Sequence, residues 1–113
     1  MSNQLFKNNT SIDFLIKLFI EFLDKICEKN NNIYKFDRIS YRKSEFHNHL
    51  NEFIEKITPF YFESKKYYLT RNMKYNYFIT IIRQICKFCK IKYVNKIEYD
   101  KSKYDINYYI YID

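Results

Sequence analysis

Nine basic residues and no acidic one lie between Ser64 and Ile97: Lys65, Lys66, Arg71, Lys74, Arg83, Lys87, Lys90, Lys92 and Lys96. Residues 1–33 carry four charges of each sign, residues 34–63 five of each, and residues 97–113 two positive against four negative. The formal net charge of +7 is therefore a local +9, two neutral stretches and a local −2. Charge concentrated in one stretch makes a field that a polyanion feels, and lysine and arginine neutralise phosphates. Within the run, Asn76, Thr80, Arg83, Lys87 and Lys90 follow one stripe of a helix, with Gln84 at its border. Asn76, Thr80, Arg83, Gln84 and Lys87 have the chemistry to hydrogen-bond base edges. Lys65, Lys66, Arg71, Lys74, Lys92 and Lys96 would meet phosphates, which fix position without reading sequence.

The other reactive side chains make weaker groupings. Cys86 and Cys89 form a C-x-x-C, and His47 and His49 stand two apart. Two thiolates and two imidazoles can hold zinc. On a helix, however, residues two apart diverge by about 200°, and Cys89 falls on an apolar face, so buried and surface roles are expected instead. Glu45, His49 and Glu52 share a helix face, a grouping expected to form ion pairs. The chain has no Gly, which removes phosphate-cradling loops, the dinucleotide fingerprint and the nucleophile elbow. The expectation is a non-enzymatic protein that needs no metal and no cofactor.

At 113 residues, with 47% hydrophobic content, 13 Tyr and 11 Phe, the chain is expected to form one globular domain. Three cysteines, Cys27, Cys86 and Cys89, with no leader segment point to free thiols in a reducing, intracellular compartment. Ile12 to Leu23 is interrupted by Asp13, Lys17 and Glu21, too charged to span a bilayer. Lys, Asn, Ile, Tyr and Phe dominate, a bias typical of A/T-rich coding DNA, which competes with selection for a partner as the source of the lysine excess.

The elements that must position these residues follow from periodicity. Residues 1–9 read as a frayed tail. Thr10 or Ser11 caps a first helix spanning residues 10–32, with Ile12, Leu15, Ile16, Phe19, Phe22, Leu23 and Ile26 on one face and an Asn in the left-handed cap. Phe14 and Leu18 fall on its charged side and suggest a partner helix, hence a homodimer through this element. Residues 33–39 read as a strand or extended connector. A second helix ends near Ile57, with Phe46, Leu50, Phe53, Ile54 and Ile57 inward. Thr58-Pro59 would end it and cap a third helix, residues 59–68. A fourth helix, residues 73–90, buries Phe78, Ile81, Ile82, Ile85 and Cys89. Alternation over residues 93–112 reads as a β-hairpin turning at residues 100–103. Tyr109 and Tyr111 face away from Tyr108 and Ile110, on a strand expected at a sheet edge.

Helix, tight bend, helix and hairpin, with the basic stripe on the last helix, resemble a winged helix-turn-helix over residues 41–112. The fold class expected is α+β, with residues 33–113 as a winged-helix-like core. The resemblance implies a double-stranded DNA partner, residues 73–90 in the major groove, and Lys101 and Lys103 at the tip of a wing. A second resemblance rests on Tyr67-Tyr68, Arg71, Met73, Tyr75, Phe78, Thr80-Ile81, Arg83-Gln84-Ile85-Cys86 and Lys101-Ser102-Lys103-Tyr104. These residues are similar to a pattern in small uncharacterised proteins of giant nucleocytoplasmic DNA viruses, which implies a regulatory or DNA-packaging role in a virion, viral factory or host cytoplasm. The rival expectation is a structural or assembly protein with no nucleic-acid role.

Overall fold

The computed structural model describes residues 6–37, 44–61, 75–100 and 103–112, without the side chains of residues 44, 75–78, 100, 103 and 104. Among these residues the fold is α+β, three helices packed on a four-stranded antiparallel sheet. No described helix is long and apolar enough to cross a membrane.

Helix α1 spans Ile12–Ile26. The Phe14 amide donates to Ser11 Oγ at 3.3 Å, so Ser11 takes up one of the free N–H groups of the first turn. Leu15, Phe19, Phe22 and Leu23 are buried, while Ile12, expected inward, is 42% exposed. The helix stops well short of residue 32. Cys27 is already extended, and β1 (Glu28–Asn30) turns back onto β2 (Ile33–Asp37). Asn31 does take a left-handed conformation, φ 56°, but in a hairpin turn and not as a helix cap. The strand β2 wins these residues because it also pairs with the last strand of the chain, so the hairpin belongs to a wider sheet.

Helix α2 (Ser44–Ile57) buries Phe46, Leu50, Phe53, Ile54 and Ile57 as its periodicity predicts. Phe53 stacks on Phe22 with centroids 4.7 Å apart, which joins α2 to α1. A 3₁₀ turn follows at Thr58–Phe60. The predicted third helix fails at its start: Tyr61 is extended, φ −78° and ψ 150°, and pairs with Phe6. Thr58 caps nothing. Its hydroxyl donates back to the Ile54 carbonyl at 2.6 Å. Residues 62–68 of that prediction lie outside the described residues.

The tail is not frayed from Phe6 onward. Phe6 is fully buried, the Lys7 amide donates to the Phe60 carbonyl at 2.8 Å, and the Thr10 hydroxyl reaches the same oxygen at 3.4 Å. An aromatic ring that can be buried outweighs the polarity of its neighbours.

Helix α3 (Tyr75–Cys89) buries Ile81, Ile82, Ile85, Cys86 and Cys89. It ends in a Schellman arrangement: the Ile91 amide donates to the Cys86 carbonyl at 2.8 Å, and Lys90, at φ 57°, donates to Lys87 at 3.4 Å. Ile91 alone then links α3 to β3 (Lys92–Asp100), which pairs with β4 (Lys103–Tyr111).

The strand order is β1-β2-β4-β3. Register places Tyr34, Ile110 and Tyr93 side by side, then Phe36, Tyr108 and Asn95. Successive residues of a strand face opposite ways, so these rungs form the inner face, where Phe36 stacks on Tyr108 at 4.8 Å. One expectation is corrected. From Asn107 to Tyr111 the strand β4 is interior, with β2 on one side and β3 on the other, so Tyr109 and Tyr111 do not stand on a sheet edge. Asn107 lies on the outer face by register yet is only 9% exposed, because β2 and β3 flank it through Asp37 and Lys96. Among the described residues β2 reaches only to Asn107, and beyond it β3 and β4 continue as a two-stranded arm.

Candidate nucleic-acid interface

Helix α3 displays Thr80, Arg83 and Lys87 as exposed residues along one side, with Gln84 half-buried beside them, and Lys90 is exposed just past the helix end. The cause is the helical period. Burying Ile81, Ile82, Ile85 and Cys89 turns the remaining positions to solvent. Arg83, Lys87 and Lys90 form no ion pair with another described residue; the described pairs are Lys25 with Glu52 at 3.7 Å and His49 with Glu52 at 3.8 Å. The placement also suits the helix itself, because Lys87 and Lys90 stand at the C-terminal end, where the peptide dipoles favour positive charge.

Lys92 and Lys96 stand elsewhere, on the outer face of the sheet. Their cross-strand partners are Tyr111 and Asn107. The Lys92 ammonium lies 4.8 Å from the centre of the Tyr111 ring, and that of Lys96 lies 5.3 Å from Tyr109. Such contacts at exposed sites are worth about 0.5–1 kcal/mol. The Tyr109 hydroxyl donates to the Glu98 carboxylate. That bond raises the phenol to about 12 and, with Asn107, Lys35 and Lys96, holds the carboxyl below its ordinary value. Asp37 and Asp105 share this face by register, so it carries mixed charge. Sequence distance had joined these two lysines to the α3 stripe, and strand register separates them. The role of Tyr109 and Tyr111 as lysine platforms became visible only with that register.

Of the remaining predicted contacts, Lys65, Lys66, Arg71, Lys74 and Lys101 lie outside the described residues. Asn76 lies in α3 and Lys103 in β4, with their side chains outside the description. The predicted oligomer pair is redistributed. Leu18 is 9% exposed and not on the charged side, because α2 packs over it. Phe14 remains 45% exposed but meets Phe60 edge-on at 5.6 Å.

The cysteine and histidine motifs do not converge. Cys86 and Cys89 are buried. Burial pushes their thiols up to about 12 and about 11, with the neighbouring Cys89 adding to the shift at Cys86. His47 and His49 belong to α2. No three His, Cys, Asp or Glu side chains gather as metal ligands among the described residues. Comparison with protein-family models, with curated proteins and with solved structures finds no match.

Proposed function

We propose that the chain is a non-enzymatic module that binds double-stranded DNA by laying α3 against the duplex. One observation carries the reading: Arg83 and Lys87 stand exposed on a single side of α3, with Lys90 exposed just past its end, and none of the three has an acidic partner among the described residues. Cations held by one helix and its C-terminal cap match the regular phosphates of a duplex better than cations on a mobile segment. The winged helix-turn-helix reading draws support from α3 running through Ile91 directly into a hairpin whose outer half projects beyond β2. In this reading α3 enters the major groove, Arg83 and Gln84 reach base edges, and the β3–β4 hairpin flanks the backbone.

The test is fluorescence anisotropy of a labelled random duplex. Arg83→Ala with Lys87→Ala should weaken binding at least tenfold, because two charge-assisted phosphate contacts are lost together. Unchanged affinity would remove α3 as the interface.

The rival reading, a structural or assembly component, is favoured by one specific observation. Ile97 and Tyr99, on the projecting arm, are 59% and 78% exposed.

A further inference from the structure

The strand β3 ends the sheet, and no described strand pairs with its outer side. It is nine residues long and pairs with β4 without a bulge from Lys92 to Asp100. Residues 95–99 are all exposed, and no other described strand lies along the edge there. A long, regular and uncovered edge is a template for another strand, and proteins that must stay single blunt such edges with bulges, short strands or covering loops. Among the described residues β3 has no bulge and no covering strand; it does carry charges, another such device, but Lys92, Lys96 and Glu98 are of both signs.

The sequence of β3 matches itself. Two copies related by a two-fold axis pair antiparallel, and paired residues must lie on the same face, so the axis passes beside one residue of each chain. Centred on Lys96 or Glu98, the register sets like charges directly opposite, which is destabilising. Centred on Asn95, it leaves Tyr99 opposite the partner's Ile91, outside the strand, and drives the arm toward the end of α3. Centred on Ile97, it sets Ile97 against the partner's Ile97, Lys96 against the partner's Glu98, Glu98 against the partner's Lys96, and Tyr99 against the partner's Asn95. The most exposed apolar side chains are then covered, and the charges alternate in sign.

We propose that two copies of this chain join edge to edge through β3, antiparallel and centred on Ile97, so that their sheets become one. The register gives the dimer its specificity: two ion pairs and one apolar contact, with no like charges opposed. The proposal does not rest on the α3 contact with DNA, since Arg83 and Lys87 take no part in it, although it uses Lys96, one of the predicted phosphate contacts.

Sedimentation of the full chain from micromolar to hundreds of micromolar tests it. The protein should sediment as a dimer. Lys96→Glu alone and Glu98→Lys alone each oppose like charges twice across the axis, and each should weaken association about tenfold or more. An equimolar mixture of the two variants should recover the dimer, because every mismatched pair becomes an opposite-charge pair in the mixed species. Far-UV circular dichroism establishes that each variant is folded. Ile97→Lys supplies a second route, at a side chain already 59% exposed in the single chain, and should also dissociate the dimer. A monomer throughout the range, single variants that associate as the parent does, an Ile97→Lys dimer of unchanged affinity, or a mixture that stays dissociated would each overturn the proposal.

Discussion

Phe6 lies between Tyr61 and Phe88, with ring centroids 5.0 and 5.2 Å away. Its burial ties the start of the chain to the 3₁₀ turn and to α3. Phe6→Ala should cost about 3–5 kcal/mol by removing a buried ring and leaving a cavity, read as a lower midpoint in urea unfolding. Tyr61 is fully buried too, and its hydroxyl meets no partner among the described residues. Burial pushes that phenol above its ordinary value. Other buried groups share this direction and combine into a pH dependence. The Cys86 and Cys89 thiols rise from 9.0 to about 12 and about 11. Tyr34 rises from 10.0 to about 12 through burial and its bond to Asp24. In each case the folded chain holds its proton longer than the unfolded one. Stability is therefore complete below about pH 9 and falls as pH rises toward 11–12, because the unfolded chain ionises first. The urea midpoint should drop between pH 7 and pH 10, and Cys86→Ala with Cys89→Ala should flatten that drop. An equal drop in the double variant would assign the loss to other groups.

Elements whose inward residues obey a single period were legible from the sequence. The inner face of α2 was correct at Phe46, Leu50, Phe53, Ile54 and Ile57, and that of α3 at Ile81, Ile82, Ile85 and Cys89. The hairpin was legible through the alternation of Tyr108 and Ile110 with Tyr109 and Tyr111. What local signals missed was decided by distant partners. Glu28, Lys29 and Asn30 carry no strand preference, yet they pair because β2 is anchored on β4. Thr58-Pro59 reads as a helix start, but Phe6 draws Tyr61 into an extended pairing. The candidate site divides along the same line. The α3 stripe follows from one period, whereas Lys92 and Lys96 over Tyr111 and Tyr109 required cross-strand register. The end of α3 supplies an element-scale prediction. A lysine at φ 57° carries steric strain that glycine avoids. Lys90→Gly should therefore raise stability by about 0.5–1 kcal/mol in urea unfolding, while Lys90→Val, β-branched at the same angle, should lower it.

At the scale of the whole molecule, the charge distribution fixes how DNA binding must respond to salt. The net +7 exists only because one stretch is acid-free, and long-range attraction from it is screened within about 8 Å at physiological ionic strength. Each phosphate neutralised on a duplex contributes about −0.9 to the slope of log affinity against log salt. Arg83, Lys87 and Lys90 acting alone would give a slope of about −2.7, and every further lysine engaged steepens it by the same increment. Arg83→Ala should then shallow the slope by about 0.9 if that side chain holds a phosphate. If it reads a base edge instead, the slope should stay nearly constant, while affinity falls most for one particular sequence. Anisotropy titrations of the parent and the Arg83→Ala variant, on random and selected duplexes at several salt concentrations, separate the two roles. A parent slope near zero would show that the acid-free run is not used against phosphates, and the edge of β3 would then be the surface on which the activity of this protein must be sought.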